Sequence, residues 1–322
     1  MPKLIRRTPE NIKPKEHDHF SKKGSGITAL IDMDVICYSV GFAAQTNIHK
    51  VRVVDKQGVA TFETKKEMNI WLAEKELGPD DYTVETEIIP DPIENALHSV
   101  KVMLNSILEA VDAEYYKGYL TGKGNFRERV AVTQPYKGNR KDFIKPIHFD
   151  AIKEYLINVW GAIVVEGKEA DDAMAIAQVD SIKNLEYLQE HPGVCLGSIP
   201  KKSTIICSID KDLMMVSGWH YNWNKDEKVF VNPDEGLSWF FKQWLMGDST
   251  DNIKGLSGIG PKKAEAILEG LTIGEQLCAV GLWYAIKEDD PEARMQEDGQ
   301  LLWMMRIEGD HFDLMRMINS GH

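Results

Sequence analysis

Four tight groups of acidic residues punctuate the chain, and their spacing bears directly on chemistry. Asp32 and Asp34 stand two apart in ITALIDMD, and Asp210 and Asp212 stand two apart in SIDKD. Glu169, Asp171 and Asp172 fall in KEADD, and Asp248 and Asp251 stand three apart in GDSTDN. Residues two apart on a strand share a face, and residues three apart on a helix do the same. Hard cations such as Mg2+ and Mn2+ take oxygen ligands. Two such ions about 4 Å apart activate water, neutralise a phosphate and stabilise a leaving oxygen. Such a centre needs carboxylates from several elements. Taken singly, each pair is more often an ordinary helix cap or turn than a metal ligand. Packed together, four such groups would repel one another unless a cation joined them.

The elements that position these acids are visible as apolar runs. ITALIDMD (27–34), roughly YKGYLTG (116–122), AIVVEG (162–167) and STIICSID (203–210) read as buried strands. Between them, apolar residues at 93, 97, 100, 104, 107, 108 and 111 make an amphipathic helix. Asp150 is placed to cap a helix reaching Trp160, and Glu169 opens one running to about Ile182. Strands alternating with helices predict an α/β fold with a largely parallel central sheet flanked by helices. Ligands of such sheets gather at the strands' carboxyl ends, which is where the acids fall. Residues 1–24 read as a basic tail and 25–234 as the α/β domain. Within that domain, 45–90 reads as an insertion containing a hairpin around Asp55–Gly58 and a short helix in KKEMNIWLAEK. From 235 to 322 the pattern turns helical, and Trp303, Met304 and Met305 read as core.

Composition narrows the class. With 322 residues, 43% hydrophobic and 27% charged, the chain can bury a sizeable core. No apolar run approaches the ~20 residues that span a bilayer, and the polar N-terminal stretch has no secretory h-region. Cys37, Cys195, Cys207 and Cys278 lie far apart without a CxxC pair, which fits free thiols in a reducing cytoplasm. The net charge of −12 is not the usual footprint of a nucleic-acid binder. Lysine and arginine are nonetheless concentrated at 123–145, including Arg127, Lys137, Arg140 and Lys141, and again at 254–263. That balance excludes indiscriminate coating of DNA and allows a basic track beside an acidic site. The bland reading of 123–145 is a solvated loop. In GLSGIGPKKA, Gly258 and Gly260 allow close backbone approach, Pro261 fits a first helical position, and Lys262 and Lys263 add charge. A tight turn between helices would contain the same residues.

Taken in order, ALIDMD, YKGNR, EADD, SIDKD and GDSTDNIKGLSGIGPKKA resemble the 5′→3′ exonuclease and flap endonuclease family, from about 27 to 270. The resemblance is greatest to compact bacteriophage exonucleases and to the 5′-nuclease domain of bacterial DNA polymerase I. It implies a PIN-like 5′-nuclease fold whose C-terminal helical lobe carries a helix–three-turn–helix. The implied activity is two-metal hydrolysis of DNA bearing a 5′ end, flap or nick, in phage replication or host DNA degradation. It assigns Asp32, Glu169, Asp171, Asp172, Asp210, Asp212, Asp248 and Asp251 to two Mg2+ or Mn2+ ions. It sets Tyr136, Lys137 and Arg140 against the scissile phosphate, with 123–145 as an arch admitting single-stranded 5′ DNA. The hairpin would grip duplex backbone and hold K+ through carbonyls. One departure stands out: Thr121 or Gly122 occupies the place of an expected acid at the second strand's end. A related metal-dependent ribonuclease and a metal-dead DNA-binding subunit remain as rival readings, and nothing in the sequence specifies protein partners.

Overall fold

The computed structural model describes residues 24–141, 143–190 and 203–319. Apart from Gly24, the tail expected at 1–24 lies outside the described residues. Six strands form the main sheet: β1 (Thr28–Asp32), β5 (Tyr115–Thr121), β6 (Ile163–Val165), β7 (Thr204–Cys207), β8 (Gly218–Asn222) and β9 (Glu227–Val231). Their spatial order is β6-β5-β1-β7-β8-β9, parallel except for the antiparallel β8–β9 hairpin. The run Ala29–Leu30–Ile31 is buried because β1 is central and covered on both faces. Helix α6 (Ala170–Glu190), longer than expected, lies against β1, β5 and β7.

The chain divides into two compact units, and the division does not follow a boundary at 234/235. One unit comprises the described residues of Met1–Asp34, Asn105–Phe143 and Trp160–His322; the other comprises Val35–Leu104 and Ile144–Val159. The first unit joins the sheet to helices α7 (Pro233–Met246), α8 (Pro261–Leu268), α9 (Ile273–Lys287), α10 (Pro291–Leu302) and α11 (Leu314–Asn319). One apolar core runs through both parts, from Leu30, Met174 and Ile206 to Phe240, Trp244, Trp303 and Phe312. Edge-on aromatic pairs such as Trp244–Phe312, with centroids 5.1 Å apart, fill its C-terminal part. Trp303, Met304 and Met305 are core residues, as expected.

In the second unit, β2 (Gln45–Val53), β3 (Ala60–Phe62) and β4 (Tyr82–Pro90) make an antiparallel sheet in the order β3-β2-β4. Helix α2 (Lys65–Glu74) brings Met68 and Leu72 against Val51. Helix α1 (Met33–Ala43) follows β1 without a break, α3 (Ile93–Ala110) matches its periodicity, and α5 is Phe149–Asn158. Asp150 sits in the first turn of α5, not at its cap. Phe149 is buried as the first helical residue, so His148 takes the cap position.

One buried acid in the helical part gives a test of pH dependence. Burial pushes Asp298 up to about 7, against the pull of Arg294 and Tyr284. The Tyr284 hydroxyl has one proton and two oxygens within reach, the Trp244 carbonyl at 2.8 Å and Asp298 Oδ2 at 2.7 Å. Donation from Tyr284 and the Arg294 guanidinium 3.2 Å away both favour the carboxylate, but burial outweighs them. The folded state then holds a proton that the unfolded chain releases near pH 4, so stability falls as pH rises from about 4 to about 7. Asp298→Asn is expected to flatten that slope by up to about 1.4 kcal/mol per pH unit. Chemical denaturation at several pH values checks it; parallel curves for variant and wild type would refute it.

Candidate active site

Acidic side chains from β1, the start of α6, the segment after β7 and the turn after α7 come together in the first unit. Asp32 ends β1, only 3% exposed, and its Oδ2 accepts from Ser208 Oγ at 2.9 Å. Desolvation pushes Asp171 well above the usual carboxylate range, and Asp32, Asp210 and Glu169 push it further. Asp212 is pushed up to about 7, by desolvation first and then by Asp210 and Asp248. Burial alone would raise Asp248 as well, but Lys211 and hydrogen bonds from Asp212, Thr250 and Asp251 bring it below its ordinary value. Lys211 Nζ lies 3.2 Å from Asp212 and 3.4 Å from Asp248. Asp210 therefore stands between two groups of mutually repelling acids.

The local geometry differs from the spacing argument at both strand ends. Asp34 does not share a strand face with Asp32, because the chain turns helical at Met33. Met33 packs so tightly over β5 that a Cβ on Gly118 would lie 2.1 Å from its Cε. Asp34 Oδ2 instead accepts from the Thr121 backbone N–H at 2.8 Å. Thr121 itself caps α6, its Oγ1 accepting from Ala170 N–H at 3.0 Å. A carboxylate thus reaches the end of β5 from a neighbouring element. Likewise β7 stops at Cys207, and Asp210 caps a 3-10 turn by accepting from Asp212 N–H at 2.8 Å.

Glu169 and Asp251 have different company. Lys137 Nζ is hydrogen bonded to Glu169 Oε1 and lies 3.7 Å from Asp251. The Tyr136 hydroxyl reaches Glu169 at 3.0 Å and Asp251 at 2.7 Å, and Arg140 Nη2 meets Asp251 at 2.8 Å. Burial would raise Glu169, but Lys137 and Arg127 hold it below the usual range. Asp251 stays raised, through desolvation and then Glu169, despite Lys137, Tyr136 and Arg140. Burial would lower Lys137, yet Glu169 and Asp251 outweigh it and leave its pKa raised, so it is a cation at neutral pH. Asp248 and Asp251, three apart in sequence, therefore serve separate neighbourhoods.

Two residues have partners that spacing did not predict. Asp172 is fully buried, and both its oxygens face Arg127, at 2.6 and 2.9 Å. They also accept the backbone N–H groups of Glu169 and Met305. This carboxylate is the partner of a buried cation. Arg127, expected to meet DNA, is 3% exposed and also donates to the Leu301 and Trp303 carbonyls. Spacing alone does not distinguish a ligand from an ion-pair partner 45 residues away.

The basic segment is laced to its surroundings. It contains the short helix α4 (Arg127–Val130). Glu297 accepts from the backbone of Val132 and Thr133, Asn252 donates to the Pro135 carbonyl, and Asn139 donates to the Ser249 carbonyl. Lys141 is exposed. Further on, the short strands β10 (Gly247–Asp248) and β11 (Ile253–Lys254) pair before α8. Gly258 has φ +75°, where a side chain is strained, and Gly260 begins α8 without a side-chain cap. Pro261 is the first helical residue, and Lys262 and Lys263 are exposed beside it. Lys263 Nζ lies 4.8 Å from the Trp283 ring centroid.

Among the described residues, no three or more His, Cys, Asp or Glu side chains stand in an arrangement that could by itself hold a metal ion. The donor set nevertheless suits a hard divalent cation. It is all oxygen and contains carboxylates raised by one another, and Mg2+ keeps several waters and needs only one or two carboxylates. No described helix is long and apolar enough to cross a membrane.

No family model and no curated protein matches the chain. Among solved structures it is similar to a bacteriophage T5 protein co-crystallised with metal ions. That pair is 15% identical with a TM-score of 0.46, covering 86% of this chain and 89% of the other. It is also similar to the T5 5′-exonuclease with zinc bound, at 16% identity and TM-score 0.45, covering 86% of each chain. A T5 flap endonuclease in a pseudo-enzyme–product complex with DNA and metal ions gives 16% and 0.45, covering 86% and 89%.

Proposed function

We propose that this chain is a two-metal phosphodiesterase that hydrolyses DNA from or near 5′ ends, as a 5′→3′ exodeoxyribonuclease with flap endonuclease activity. The observation that carries this reading is a chain of neighbouring acids, with Asp171 within electrostatic reach of Asp32 and Asp210, and Asp212 within reach of Asp210 and Asp248. Repulsion on that scale calls for a counter-charge, and Lys137 and Lys211 offset only part of it. Asp32, Glu169, Asp171, Asp210, Asp212, Asp248 and Asp251 would supply the oxygen ligands of the two ions, with waters completing their shells. Bound there, Mg2+ or Mn2+ ions supply an activated water and neutralise the phosphate. Lys137 and Arg140 present fixed positive charge beside the acids, where a scissile phosphate gains most from it. Tyr136 orients Glu169 and Asp251 through its hydroxyl. Exposed Lys141, Lys262 and Lys263 are suited to duplex or strand backbone, and the open α8 N-terminus to a phosphate or a K+-bridged contact.

Product mapping on 5′-labelled flap, nicked and blunt DNA, with matched RNA controls, tests this reading. Cleavage is expected only with Mg2+ or Mn2+, with products beginning at the 5′ end or flap junction. Cleavage in EDTA, or preference for RNA, would sink it.

A further inference from the structure

We propose that Arg127 is a positioning residue for the metal-holding acids Glu169 and Asp171, setting their place from the C-terminal end of α10. The inference rests on the proposed metal-dependent activity and adds a residue with no reach to substrate. Its guanidinium makes four hydrogen bonds in a nearly closed site. Nε donates to the Leu301 carbonyl at 2.9 Å and Nη2 to the Trp303 carbonyl at 2.7 Å. Nη1 and Nη2 form the fork on Asp172 at 2.6 and 2.9 Å. Asp172 in turn accepts the Glu169 N–H at 3.1 Å, while the Met305 N–H, also at 3.1 Å, ties the same carboxylate to the segment after α10. Arg127 Nη1 also lies 3.7 Å from Glu169 Oε2. The first turn of α6, with Asp171 between Glu169 and Asp172 in sequence, is thus held by one planar cation anchored elsewhere. Stability alone does not call for this arrangement, because apolar residues often replace a buried ion pair without loss. Fixing the backbone that carries two acids does call for directional bonds. Lysine cannot reproduce a bidentate fork plus two carbonyl contacts.

The test is Arg127→Lys in the full chain, read by Mn2+ titration calorimetry and by the Mg2+ concentration giving half-maximal cleavage. Mn2+ affinity is expected to fall about tenfold or more and the Mg2+ midpoint to rise likewise, while metal-free duplex Kd stays within about twofold. Should Arg127→Lys fail to accumulate folded, Asp172→Asn tests the same pair with the same expectation. Metal affinity and Mg2+ midpoint matching wild type in a folded variant would overturn the proposal and leave Arg127 as a stabilising residue only. If wild type binds Mn2+ but cleaves no DNA, the functional reading fails while the calorimetry still judges Arg127. A wild type that binds no divalent ion overturns both.

Discussion

The double substitution Asp210→Asn with Asp212→Asn is expected to abolish DNA cleavage and yet raise the thermal stability of the metal-free protein. Asp210 bears electrostatically on both Asp171 and Asp212, so its removal loosens both halves of the acid cluster. Losing several kcal/mol of transition-state charge stabilisation slows the reaction by about 10³-fold or more. Geometry should survive. Asparagine at 210 can still accept the Asp212 N–H as a cap, and asparagine at 212 can still accept from Gln243. Without metal, the variant lacks the buried charge, first desolvated and then repelled by Asp210 and Asp248, that lifts Asp212 to about 7, so it should melt higher than wild type at pH 8. The expected gain is a few degrees, since about 1 kcal/mol moves Tm by roughly 2–4 °C at 150–250 residues. Added Mg2+ should stabilise wild type and leave the variant nearly unchanged. Near-normal cleavage would refute the two-metal reading, and a lower metal-free Tm would show that these acids serve the fold.

Lys137→Ala separates chemistry from grip. In the free protein this lysine is held against Glu169, 30% exposed, with Asp251 3.7 Å away. A cation fixed beside the acids contributes most as negative charge develops on the phosphate, whereas a lysine on a duplex surface contributes affinity and salt dependence. Single-turnover cleavage by Lys137→Ala should therefore slow by roughly 10²-fold or more, with little change in Kd. Lys262→Ala, on the exposed start of α8, should do the reverse. Measuring both constants for both variants at one salt concentration decides between the roles. A loss confined to affinity in Lys137→Ala would place it in the basic track instead.

The sequence revealed elements wherever burial imposes a period. The runs ITALIDMD, YKGYLTG and STIICSID read as strands because β1, β7 and the latter half of β5 are buried, and α3 and α7 read as helices from their apolar rows. The β8–β9 hairpin escaped notice because Trp219 and Phe230 face outward, 44% and 52% exposed, and break the apolar alternation. The grouping of acids at carboxyl ends of strands was legible, but their side-chain directions were not. Asp34 was read as a strand residue because the turn at Met33 depends on room left by Gly118, a residue 85 positions later. The pairing of Asp172 with Arg127 was not legible, because Arg127 belongs to a segment whose composition resembles a solvated loop. The discontinuous second unit is likewise invisible in sequence order, since its two stretches are separated by residues of the first.

The strand order also bears on how the chain emerges from the ribosome. β1 is central, yet one edge pairs with β5 and the other waits for β7, which begins at Thr204. At about 5–20 residues per second, the second edge remains unpaired for on the order of ten to thirty seconds of synthesis. An apolar strand in that state invites pairing with other nascent chains. β1 is only five residues long and ends in Asp32, so it offers a short template closed by a charge. The acid proposed to hold a metal in the finished protein thus also guards a raw edge before the sheet exists.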